Sequence, residues 1–110
     1  MFGNVKLWSK VREHRKSGSI LIDVREPMEL RQYGMVPEAI NIPIGLIDDV
    51  FAMRDQEFKA IIGHEKPNID DSIIFFCWQG IRAHDASNLV YKKYNYSQSF
   101  FYPGPFTHLQ

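Results

Sequence analysis

Two short runs, Ile20-Leu21-Ile22 and Ile73-Ile74-Phe75-Phe76, hold no polar residue at any position. A strand with one face in water alternates apolar and polar side chains, whereas a strand apolar throughout is covered on both faces. Such cover comes from helices packed above and below a parallel sheet. Helical patterns do lie between the strand-like runs. Residues 8–16 read as a helix ended by Ser17-Gly18, and 19–24 as the first buried strand. Residues 26–33 form a short helix with Pro27 in its first turn, 34–38 turn the chain, and 39–42 make a strand closed by Pro43. A helix over 55–62 buries Phe58, Ile61 and Ile62 and stops at Gly63. The polar loop 67–71 leads into the second apolar strand. A long helix over about 82–93 follows, with Ala83, Ala86, Leu89 and Val90 on one face. Asn95 turns the chain into a strand near Ser99-Phe100-Phe101, before Pro103-Gly104-Pro105, and Asn4-Val5-Lys6 is a candidate edge strand. Strands alternating with helices predict an α/β fold, a doubly wound parallel sheet flanked by helices. In that architecture ligands bind beyond the C-terminal ends of the strands.

A length of 110 residues suffices for one core and not two, so 1–110 is read as a single compact domain. The 13 basic and 13 acidic residues cancel, which removes any electrostatic draw toward nucleic acid or an anionic membrane. No apolar stretch approaches the roughly 20 residues that span a bilayer. One cysteine excludes an internal disulfide and leaves no closely spaced cysteine pair for zinc, so neither a metal nor another cofactor is expected. A lone thiol suits a reducing compartment, read as the cytoplasm. The mitochondrion is the alternative, because Lys6, Lys10, Arg12, Arg15 and Lys16 give a basic start similar to a transit peptide. Glu13 and the adjoining strand favour a folded surface helix there. The oligomeric state stays open.

Cys77 falls where the second apolar strand meets the long helix. Free N–H groups and the positive end of a helix dipole converge at such a junction and stabilise an anion. They favour the thiolate, the nucleophilic form of cysteine, and Arg82 adds a cation. The plainer account of a cysteine after Phe75-Phe76 is a small buried hydrophobe. The strand-to-helix position, Gly80 in the turn and the closing arginine weigh against it.

Together these segments resemble the rhodanese family of sulfurtransferases. Cys77-Trp78-Gln79-Gly80-Ile81-Arg82 is similar to that family's active-site loop, a cysteine followed by glycine at the third position and arginine at the fifth. Ile22-Asp23-Val24-Arg25-Glu26 is similar to its Asp-Val-Arg-Glu segment. The stretch Met35-Val36-Pro37-Glu38-Ala39-Ile40-Asn41-Ile42-Pro43 resembles its Ile-Pro-Gly-Ala-x-Asn-Ile-Pro element, with Glu38 where glycine is usual. Phe101-Tyr102-Pro103-Gly104 resembles its closing Tyr-x-Gly-Gly element, with Pro105 for the second glycine. The likeness is greatest to the small single-domain thiosulfate sulfurtransferases, and Leu109 stands near the place of a tryptophan in their final helix.

The resemblance implies a rhodanese-like fold and sulfur transfer. Cys77 would take a sulfane sulfur from a small anionic donor, thiosulfate or a persulfide. The resulting Cys77 persulfide would pass it to cyanide or to a thiol acceptor such as glutathione or a protein thiol. Cys77 and Arg82 are then catalytic, and Trp78, Gln79, Gly80, Ile81 and Arg82 form the substrate-binding loop. Amides of such a loop can surround an anionic sulfur, Gly80 permitting backbone angles closed to other residues. With no second cysteine, the acceptor comes from outside.

The resemblance also sets Asp23 and Arg25 beside the site as supports. In one reading Asp23 orients Arg82 or the loop amides and Arg25 draws in substrate. In the other, which is favoured, Asp23 caps the helix that begins at Glu26 and Arg25 is solvated. Arg82 at a helix start opposes the dipole and adds little to folding, so its presence calls for another reason. His14, His64, His84 and His108 read as surface residues. Two other function classes compete. A non-catalytic docking or regulatory module is disfavoured by the retained Cys77, Gly80 and Arg82. A phosphatase loop places arginine six residues after cysteine to surround a phosphate, whereas Arg82 follows Cys77 by five. Trp78, Gln79 and Ile81 make the loop's mouth bulky and apolar, with Arg82 its one basic residue, which suits a donor or acceptor larger than thiosulfate.

Overall fold

The structure, a computed structural model, describes residues 3–105. Strands β1 (Gly3–Asn4), β2 (Ile20–Asp23), β3 (Ile40–Asn41), β4 (Ile73–Phe76) and β5 (Ser99–Phe101) form one sheet in the order β1-β5-β4-β2-β3. Every neighbouring pair is parallel. The two apolar runs are partners at its centre, paired from Ile20 with Ile73 to Asp23 with Phe76.

Their uniform apolarity follows from a core on each face. On one side Ile22, Ile73 and Phe75 meet α3 (Ile47–Phe51), α4 (Asp55–Ile62) and α5 (Ile81–Tyr94) through Val50, Phe51, Phe58, Ala86 and Val90. On the other, Leu21, Ile74 and Phe76 meet Val11 and Trp8 of α1 (Trp8–Lys16). Ala83, Ala86 and Ser87 are the buried residues of α5 besides Val90, so a stripe of small side chains lets this helix lie close to the strands. Asn95, left-handed at φ 63°, ends it.

Two expectations fail here. Ile61 is not buried but 63% exposed, because α4 turns Phe58 fully inward with Ile62 partly buried against the same core, which leaves Ile61 on the outer face. Residues 44–51, to which no element was assigned, form a 3-10 turn (Ile44–Leu46) running into α3. Ile47, Val50 and Phe51 follow helical spacing and are buried; Phe51 meets Phe58 and Tyr96 edge-on, with ring centroids 5.8 and 5.3 Å apart. The expectations for His108 and Leu109 lie outside the described residues.

Helix α2 (Pro27–Tyr33) differs from the rest, since it buries no residue. A cavity of about 380 Å³ lies beside it, lined by Pro27, Leu30, Met35, Val36 and Ala39 among others. Just beyond, Glu38 adopts φ 69°, a left-handed conformation that explains why glycine suits this position. Among the described residues no helix is long and apolar enough to cross a membrane.

Candidate active site

Because β2 and β4 are parallel partners, the segments leaving them emerge together on one rim; the Val24 N–H donates to the Phe76 carbonyl at 3.0 Å. Cys77 is the first residue beyond β4 and is 1% exposed. The chain then turns sharply so that Gly80 caps α5 with φ 85°. This turn lets the Gly80 N–H donate to the Cys77 Sγ at 3.2 Å. The N–H groups of Ile81, Arg82 and Ala83 begin the helix and so lie outside its internal ladder. Above the sulfur is an open cleft of about 460 Å³ lined by Cys77, Trp78, Gln79, Ile81 and Arg82. Gly80 stays below it, buried.

The loop is backed by the segment after β5. A Cβ on Gly80 would lie 2.3 Å from the Pro103 carbonyl oxygen, and one on Gly104 would lie 2.8 Å from that of Trp78. Two bare backbones therefore pass each other where no side chain fits, which gives Gly104 its purpose in the Tyr102-Pro103-Gly104 element.

Arg82 is not free. Its Nη1 and Nη2 donate to Oε1 and Oε2 of Glu29 at 2.7 and 3.1 Å. The two side chains are 32% and 23% exposed, and they bridge α5 to α2. The guanidinium's hydrogen bonds hold the Glu29 carboxyl down at about 2, and the carboxylate in turn raises Arg82, with the charge of Cys77 adding to the effect. Here is a partner for a cation at a helix start, a bridge between two helices that the sequence did not reveal. Glu29 itself was missed. Its one local signal is its place three residues after Glu26, whose N–H donates to Glu29 Oε1 at 2.9 Å, and that signal speaks of helix capping alone.

Asp23 and Arg25 also depart from expectation. Arg25 is not solvated but fully buried, and Asp23 does not cap α2, whose N-cap is Glu26. Arg25 Nε and Nη2 donate to the Asp23 carboxylate at 3.0 and 2.7 Å, and Nη2 also reaches the Gly34 carbonyl at 3.2 Å. The Asp23 carboxylate is spent on Arg25, while Arg82 is held by Glu29. The Arg25 guanidinium lies 4.6 Å from the Trp78 ring centroid, and Tyr33 meets the same ring edge-on at 5.4 Å. The buried pair thus props the wall of the cleft through Trp78. Asn41 Nδ2 ties the segment to β3 by donating to the carbonyls of Asp23 and Arg25 at 3.0 and 2.8 Å.

His14, His64 and His84 are exposed, as expected; the His84 ring packs edge-on against Phe101 at 5.0 Å. Among the described residues no group of three or more His, Cys, Asp or Glu is placed to hold a metal ion.

The family model of the rhodanese-like domain matches residues 7–108. The mitochondrial thiosulfate sulfurtransferase RDL2 of Saccharomyces cerevisiae is 37% identical over 95 residues, 86% of this chain and 62% of that protein. The thiosulfate:glutathione sulfurtransferase of the same yeast is 39% identical over 87 residues, 77% of this chain and 60% of that protein. The chain thus spans about three fifths of the length of these curated relatives. Among solved structures, the human single-domain sulfurtransferase TSTD1 superposes with a TM-score of 0.84 at 31% identity, covering 94% of this chain and 90% of that one.

Proposed function

The chain belongs to the family of rhodanese-like domains, and from that premise we propose that it is a sulfurtransferase working through a persulfide on Cys77. The observation that carries this reading is the Cys77 sulfur itself, set at the base of an open cleft with the Gly80 N–H directed at it. A thiol so deeply placed is reached by a thin terminal atom rather than by a bulky electrophilic centre. The outer sulfur of thiosulfate, or of a related persulfide donor, is such an atom.

In the first half-reaction the Cys77 thiolate attacks the sulfane sulfur; the S–S bond of thiosulfate breaks and sulfite leaves with its electron pair. The loop amides and the α5 N-terminus stabilise the negative charge on the terminal sulfur of the Cys77 persulfide. In the second half-reaction an external thiolate or cyanide takes that sulfur and restores the Cys77 thiolate. A glutathione or protein thiol is the acceptor that the thiosulfate:glutathione relative favours. A single free cysteine leaves no internal thiol to take its place. Within this scheme Trp78, Gln79, Gly80 and Ile81 shape the site, Arg82 balances its charge, and Asp23 and Arg25 support Trp78. The name of the mitochondrial yeast relative favours the mitochondrial over the cytoplasmic alternative for the compartment.

Intact-protein mass spectrometry tests the proposal. Thiosulfate should add the mass of one sulfur atom, cyanide or a small thiol should remove it, and Cys77→Ser should acquire none. A label that persists in Cys77→Ser, or a wild-type protein that no sulfane donor loads, would sink the assignment.

A further inference from the structure

Helix α2 divides its surface between two neighbours. Glu29 and Tyr33, one turn apart, face the catalytic loop, where they meet Arg82 and the Trp78 ring. Pro27, Leu30 and Arg31 share the opposite face by their spacing of three and four, and all three line the cavity of about 380 Å³. The face that would otherwise pack on the domain therefore borders a hole, and the helix buries no residue. Met35, Val36 and Ala39 continue the apolar lining, with Asp23 and Asn41 at the ends of β2 and β3. Met35 remains 62% exposed, so apolar surface stays in water that a guest would cover. The volume falls within the range of about 300–1,000 Å³ usual for small-molecule sites.

The charge of this lining is that of one cation. The Asp23 carboxylate is neutralised by Arg25, whose Nε and Nη2 both donate to it. Arg31 is exposed and has neither an ion pair nor a hydrogen bond among the described residues. Its place in the last turn of α2 suits the helix dipole, but the dipole does not require an apolar hole beside it. A planar guanidinium pairs best with a carboxylate, through two parallel hydrogen bonds. We propose that this cavity binds a small organic monocarboxylate, its apolar tail against Leu30, Val36 and Ala39 and its carboxylate on Arg31. The site lies across α2 from Cys77 and is independent of the sulfurtransferase reading.

The test titrates the isotope-labelled protein with butanoate, hexanoate and octanoate and follows backbone amides by NMR. Octanoate should bind saturably and one to one, with a dissociation constant of about 0.1–1 mM, and the largest shifts should fall at Leu30, Arg31, Val36, Ala39 and Asn41. Affinity should rise with each added methylene, up to about fourfold where the group is fully covered. Arg31→Gln should weaken octanoate about fivefold, the upper range for an exposed ion pair, and leave 1-octanol within about twofold of wild type. Leu30→Trp, which fills the cavity from a helix that buries nothing, should abolish binding while the rest of the spectrum keeps its folded dispersion. No saturable shift at about 10 mM octanoate would overturn the proposal. Shifts centred on Gln79 to Arg82 would do the same by placing the guest in the catalytic cleft. An Arg31→Gln protein that binds octanoate as tightly as wild type would remove the carboxylate. If sedimentation showed self-association with shifts at the same residues and no ligand present, a second copy would be the occupant and the inference would fall.

Discussion

Gly80 meets two demands that no other residue satisfies together. It holds φ 85°, and it leaves room for the Pro103 carbonyl oxygen, which a Cβ would approach to 2.3 Å. A methyl group there must displace backbone, not a pliable side chain. Gly80→Ala should therefore cost about 3 kcal/mol or more of folding stability by denaturant titration, the sum of a left-handed alanine and a steric displacement. A loss below 1 kcal/mol would mean that the Pro103 segment yields freely. The demand for a special backbone angle at Gly80 was legible in the sequence, as was the place of Cys77 between strand and helix, because both depend on neighbours a few positions away. Glu29 was not, since its partner Arg82 lies 53 residues on and nothing local distinguishes an acid that caps a helix from one that also clasps a distant arginine. Arg25 was misjudged for a related physical reason: an arginine loses its claim to solvent only when a buried carboxylate and an aromatic face are both brought to it, and Asp23 and Trp78 meet there only after β2 and β4 pair.

Among the elements, α2 depends most on a single polar contact. It buries no side chain, and the Glu29–Arg82 bridge joins it to α5. The folded-state value of the Glu29 carboxyl, about 2, lies below its ordinary 4.5. The unfolded chain thus binds the proton more readily, so the stability due to this bridge is complete above about pH 4.5 and is lost as the pH falls from there toward 2. Arg82→Ala should cost about 1–2 kcal/mol at neutral pH, an intermediate value for a partly exposed pair. That difference from wild type should narrow steadily as unfolding is followed down to pH 2. A gap independent of pH would show that Arg82 stabilises by packing instead. The strands and longer helices were readable because each carries its own periodicity or breaker. The 44–51 segment escaped because Pro43 and Gly45 signal a turn, while its helical part, α3, is only five residues long. The exposure of Ile61 could not be read from the helix alone, since which of its apolar residues face inward is decided by the core that Phe58 and Ile62 join.

At the scale of the whole molecule, two apolar layers share one sheet, and the larger lies on the side of α3, α4 and α5. Phe51 joins three parts of that layer, with its ring against Phe58, Tyr94 and Tyr96. Phe51→Ala should cost about 3–5 kcal/mol in a single cooperative transition, measured by calorimetry. Two separated transitions would show that the layers melt independently.

The strand order also carries a consequence in time. Sequence runs from β1 to β5, yet space runs β1-β5-β4-β2-β3, so the first strand has only the last for a partner. While the chain is being made, β1 stays unpaired until residues 99–101 emerge, and β2 and β3 lack the central strand until residues 73–76 appear. Assembly is accordingly non-local, with loop-closure entropy falling due before most of the pairing that offsets it. During synthesis the apolar faces of β2 and its neighbours wait uncovered, and the loop after Cys77 gains its backing from the Pro103-Gly104 segment only once the last strand has been made.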